Sequence, residues 1–338
     1  MSFIDDILKY KSVSIVGLEK NTGKTESLNY ILSHLKDKNK VIAITSIGVD
    51  GESTDSVTNT HKPEITVYEN MLFITSEKHY REKKITSEIL EVSNINTSLG
   101  RLIIAKAKDT GKIKLSGPPD TTNLKNLIDH LNLYNVDITI VDGALSRLSL
   151  ASPNITESMV LATGAALSAN IPELVRKTKY VYDLIQLPEI PKKLKGILSS
   201  INSGIKVVKS LSEDEIIDLQ IDSVFSLDSS QNIFQHGNII YIPGAISDKV
   251  LNLFKLQKNT KDKIIIIKDF TKMFANPETF YSFIKKEGKI MVVNKPNLIA
   301  ITINPVSPSG YILNSGELKN ELAKQINVPI YDIKTIEK

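Results

Sequence analysis

Val13-Ser-Ile-Val-Gly17-Leu-Glu-Lys-Asn-Thr-Gly23-Lys24-Thr25 passes from an apolar run through a glycine-bracketed turn into a segment where Leu28, Ile31, Leu32 and Leu35 recur at helical spacing. The reading is strand, turn, helix. A Gly-Lys-Thr between a strand and a helix is the setting in which a phosphate-binding P-loop is credible. Glycine lets phosphate approach the backbone, successive N–H groups turn inward, and the helix N-terminus adds its positive dipole end. Gly17, Asn21, Thr22 and Gly23 would form the cradle, with Lys20 either a second cation or a solvated loop lysine. Lys24 would reach the β- and γ-phosphates, and the Thr25 hydroxyl would ligate magnesium. The regular G-x-x-x-x-G-K-[ST] spacing would put the first glycine at position 18, where Leu18 stands; Gly17 comes one residue earlier, so the loop is a variant.

Outward from this turn, strands and helices alternate. Strands are expected at Val41–Thr45, Met71–Thr75, Leu102–Ala107, Lys112–Leu115, Asp137–Asp142 and Met159–Ala162, with helices over Thr122–Leu133 and Ile171–Leu184. This alternation predicts an α/β fold, a P-loop NTPase-like, mainly parallel sheet with helices on both faces. Farther on, Leu194–Leu198 reads as a strand and Ser212-Glu-Asp-Glu215 as a helix start. Strand-like runs at Ile239–Ile242, Ile264–Ile267, Ile290–Val293 and Leu298–Ile303 then interleave with helices at Ser247–Lys255, Pro277–Lys286 and Glu317–Ile326. The length of 338 residues exceeds the roughly 250–300 that one core organises, so two domains are expected. Residues 1–204 would bind nucleotide; residues 205–338 would form a smaller C-terminal α/β domain, possible partner-binding.

A phosphate cradle needs a carboxylate to hold metal, and Asp142 closes an apolar strand at the sheet edge where ligands bind in α/β folds. Asp50, in the long Gly/Ser/Thr-rich loop Ser46–Pro63, is the candidate to orient attacking water; a turn aspartate is the alternative reading. Asn294-Lys-Pro-Asn297 departs from the Asn-Lys-x-Asp element of guanine-specific proteins and reads as a strand connection, which favours ATP over GTP. Two Gly/Pro/Ser loops, Asp142–Arg147 running on to Ala151–Asn154 and Asn304–Gly310, follow apolar strands. For Arg147 a surface salt bridge is expected, and for Asn304–Gly310 a rigid turn.

Composition removes other classes. The 42 basic and 38 acidic residues nearly balance, and the arginines are only Arg81, Arg101, Arg147 and Arg176, a poor set for nucleic-acid readout. Zero cysteines exclude disulfides, thiolate metal sites and a thiol nucleophile. The five histidines are scattered without ligand spacing. No signal peptide or membrane-length apolar run is read, and a cytoplasmic protein is expected.

Four strings together, Val16-Gly-Leu-Glu-Lys-Asn-Thr-Gly-Lys-Thr-Glu26, Thr45-Ser-Ile-Gly-Val-Asp-Gly-Glu52, Val141-Asp-Gly-Ala-Leu-Ser-Arg147 and Ile303-Asn-Pro-Val-Ser-Pro-Ser-Gly310, resemble the KamB family. That family is regarded as a subunit of the reactivase for lysine 5,6-aminomutase. The resemblance implies an accessory ATPase, working with a MutS-like partner subunit, that removes inactivated cobalamin from the aminomutase. The phosphate loop alone is also similar to that of MobB, a much shorter cofactor-maturation protein, and more distantly to dethiobiotin synthetase. A small-molecule P-loop kinase or ligase, and a scaffold that binds nucleotide without hydrolysing it, stay open on the residues themselves.

Overall fold

The structure, a computed structural model, describes residues 3–48, 64–144, 155–227, 233–257 and 260–336. The chain divides into two compact units, Met1–Lys179 with Pro296–Lys338, and Tyr180–Lys295. This differs from the division expected at residue 204. The last stretch of chain belongs to the first unit because its apolar strand hydrogen-bonds into the first sheet.

In chain order the first unit supplies β1 (Ser12–Gly17), β2 (Ile42–Ser46), β3 (Ile65–Val67), β4 (Leu72–Ser76), β5 (Ser87–Thr97), β6 (Gly100–Ala107), β7 (Gly111–Ile113), β8 (Ile138–Ala144) and β9 (Ser158–Gly164). The second supplies β10 (Lys206–Val208), β11 (Ile216–Asp218), β12 (Ile239–Ile242), β13 (Ile264–Ile267) and β14 (Lys289–Val292). Then β15 (Asn297–Asn304) and β16 (Ile330–Asp332) return to the first.

The large sheet has nine strands in the order β16-β15-β9-β1-β8-β2-β4-β6-β5. From β16 to β4 every pairing is parallel. The far edge is an antiparallel hairpin of β5 and β6 against β4. β5 escapes sequence reading because it lies at the sheet edge, is exposed or half-buried at every position but Ser93, and carries two register shifts. The expected strand at Lys112–Leu115 is β7, paired antiparallel with β3 in a separate two-stranded sheet.

Alternation along the strands builds a core on each sheet face. Ile42, Ile44 and Phe73 pack with Leu28, Ile31, Leu32 and Leu35 of the helix Lys24–Leu35. Ala43, Leu72 and Ile74, one residue out of phase, pack with Leu124 and Leu127 of the helix Thr121–His130. Both faces are therefore covered, as parallel sheets require.

The second unit holds a five-stranded sheet, β11-β10-β12-β13-β14. Two expectations fail in it. Leu194–Leu198 belongs to a helix, Lys192–Leu198, because Leu194 and Leu198 stand four apart and both bury against Tyr241 and Ile266. Ser212–Glu215 starts no helix; Lys209 N donates to Glu215 O at 3.1 Å and the segment turns β10 back into β11. Gly196 is exposed within the Lys192–Leu198 helix, with nothing within 4 Å of a Cβ added there. Gly196→Ala should thus stabilise the second unit by about 0.5–1 kcal/mol, read as a higher denaturation midpoint. A drop in the midpoint would contradict the helical assignment.

Among the described residues no helix is long and apolar enough to cross a membrane.

Candidate functional site

Four neighbouring parallel strands bring their carboxyl ends to one edge. Gly17 pairs in register with Ala144 of β8 and Ala162 of β9, and Gly164 with Asn304 of β15. From β1 the chain crosses β8 to reach β2, whereas from β9 it continues to β15 on the other side. Connections that diverge from adjacent strands open a crevice outside the carboxyl edge, the preferred ligand site of such sheets. The Gly17–Thr25 loop occupies that place.

The variant spacing has a local explanation. Leu18 is buried, 7% exposed, and its N donates to Ala162 O at 2.9 Å, so it prolongs the pairing of β1 with β9 and the turn begins after it. Closure then falls to Gly17, where a Cβ would stand 2.7 Å from Thr22 Oγ1. The Thr22 hydroxyl, buried, donates to Glu19 O at 2.8 Å across the turn. Lys20 and Asn21 lie exposed at its crown, and Lys20 N donates to Glu19 Oε1 at 3.1 Å.

Gly23 precedes the helix with φ +88°, and a Cβ there would come within 2.8 Å of Asn304 Cβ. Both conditions demand glycine. Because Gly23 has no side chain, none caps the first turn of the helix Lys24–Leu35, and a helix end of this kind favours an anion. Thr25 lies in that turn, partly buried.

Lys24 Nζ stands 2.8 Å from Asp142 Oδ1, with side-chain exposures of 22% and 13%. The two expected residues, 118 positions apart in sequence (142 − 24), thus meet at the sheet edge. Oδ1 is buried, with the Lys24 ammonium beside it and no further partner among the described residues. A buried carboxylate oxygen with a cation neighbour and spare lone pairs suits a magnesium shell, which usually takes one or two carboxylates with the rest from phosphate and water. Among the described residues no group of three or more His, Asp or Glu could hold a metal on protein atoms alone.

Asp50, the segment from residue 49 to residue 63, and Arg147 with the rest of 145–154 lie outside the described residues. Gly48, the last described residue before the first of these segments, is held on both sides: Gly48 N donates to Pro118 O at 2.7 Å and Gly117 N to Gly48 O at 3.0 Å. Sequence reading passed over Ser116-Gly-Pro-Pro119, although its Gly-Pro-Pro run was the available signal. It also took Asn304–Gly310 for a turn alone, whereas Asn304 Nδ2 donates to Asn21 O at 3.2 Å within the Gly17–Thr25 loop.

Comparison with family models, with curated proteins and with solved structures finds no match to this chain.

Proposed function

We propose that this chain is an ATP-binding protein of the P-loop NTPase class that hydrolyses nucleotide to remodel a partner. The observation that carries the reading is Lys24 on Asp142, beside an uncapped helix N-terminus and at the carboxyl edge of a parallel sheet. Lysine, carboxylate and inward-turned backbone N–H groups are the parts that phosphoryl transfer needs for positioning and charge stabilisation. Without ligand, the ion pair keeps both partly buried charges compensated; with nucleotide, Lys24 turns to the phosphates. Thr25 and Asp142 are the residues that would hold magnesium, which neutralises phosphate charge. Gly17, Asn21, Thr22 and Gly23 would shape the cradle, Lys20 would supply a second cation, and Asp50 is the candidate for orienting water.

The finer role rests on the KamB resemblance. In it the chain is an accessory reactivating factor for a cobalamin-dependent aminomutase, acting with a MutS-like ATPase subunit to release inactivated cobalamin. Binding a triphosphate and then hydrolysing it gives two conformations of unequal affinity for the partner, the logic of γ-phosphate switches. The test is recovery of activity by an inactivated aminomutase given fresh cobalamin, ATP, magnesium, the partner subunit and this chain. Recovery that needs ATP and is lost with Lys24→Ala supports the role. Equal recovery with Lys24→Ala would exclude it.

A further inference from the structure

Asn304 ends β15 and turns its side-chain amide and its backbone carbonyl to the loops at this end of the sheet. Its Nδ2 donates to Asn21 O at 3.2 Å, its Oδ1 accepts from Val306 N at 3.2 Å, and its backbone O accepts from Ala165 N at 2.8 Å. Its Cβ fills the space beside Gly23, where a Cβ would come within 2.8 Å, and its carbonyl fills that beside Gly164, where one would come within 2.2 Å.

The cradle needs such a tether. Asn21 holds φ 61°, an uncommon conformation for a non-glycine residue, and lies exposed at the loop crown. In a planar trans peptide the C=O and the following N–H point in opposite directions. Holding Asn21 O toward β15 therefore turns the Thr22 N–H away from the Asn304 amide. We propose that Asn304 is a positioning residue for nucleotide phosphates, locking the Asn21–Thr22 peptide so that the Thr22 N–H is presented to the ligand. This rests on the phosphate-site reading above and adds the part of the chain that returns after the second unit.

The test compares wild type, Asn304→Ala and Asn304→Asp in the full chain, titrated with magnesium-ATP and, separately, with magnesium and inorganic pyrophosphate. Alanine keeps the Cβ beside Gly23 but loses the amide, and affinity should fall about tenfold, the size of one lost hydrogen bond. Aspartate keeps the shape but sets a carboxylate against the Asn21 carbonyl, and the loss should be larger. Both probes should weaken by the same factor, because the tether serves phosphate, while the ligand-free melting temperature falls only by what the two lost side-chain hydrogen bonds account for. Affinities within about twofold of wild type, or loss for ATP but not pyrophosphate, would each overturn the role. If wild type itself binds neither probe, the phosphate-site reading fails and this role falls with it.

Discussion

Lys24→Ala should weaken magnesium-ATP binding by roughly a hundredfold, about 3 kcal/mol, since a charge-assisted contact to phosphate is worth about 1.5–3 kcal/mol and the side chain spans two phosphates. The same substitution should lower the stability of the ligand-free protein, because the buried Asp142 Oδ1 loses the only cation beside it among the described residues. At a side-chain exposure of 13% this costs about 1–2 kcal/mol, less than the roughly 3–5 kcal/mol of a fully buried orphan. The two effects can be separated. Lys24→Ala with Asp142→Asn removes both charges and should recover most of the lost stability, yet none of the affinity. Thermal melting with and without nucleotide measures both. A double variant that regained nucleotide binding would show that Lys24 only neutralises Asp142.

Gly117→Ala should destabilise the first unit by at least about 3 kcal/mol, a fall in melting temperature of roughly 6–12 °C. A Cβ at position 117 would lie 1.5 Å from Ser46 O and 2.4 Å from Ser46 C, and no side-chain rotation can relieve a clash with backbone. The damage is placed where it bears on function. Ser46 pairs in register with Asp142 across β2 and β8, and just after Ser46 Gly48 accepts from Gly117 N and donates to Pro118 O. Separating these backbones pulls the end of β2 from the carboxylate that Lys24 meets. Nucleotide affinity should fall along with stability. A Gly117→Ala protein that melts with wild type would mean that the 46–48 segment is not held as described.

What the sequence disclosed follows from how locally each feature is encoded. β1, the turn and the helix Lys24–Leu35 are consecutive, so apolar run, glycines and helical spacing announce them together. Asp142 was legible because an apolar strand ending in Asp-Gly places a carboxylate at the sheet edge, and the structure brings it to Lys24. Asn304 was not. Its role depends on β15 pairing with β9, a contact between residues 297–304 and 158–164 across a whole second unit, and nothing local distinguishes that strand from one of the unit it follows. The Leu194–Leu198 segment failed for the opposite reason: five residues with apolar ends fit a strand or a helical turn equally, and tertiary burial of positions 194 and 198 on one side decides for helix.

The most direct measurement is a calorimetric titration of the purified full-length chain with ATP in the presence of magnesium, paired with a melting curve at saturating ligand. Saturable heat at a single site should appear, with stability raised by about 2.7 kcal/mol once free nucleotide reaches a hundred times Kd. No heat and an unchanged melting curve at millimolar nucleotide, with ATP and GTP alike, would contradict the phosphate site built on Lys24 and Asp142.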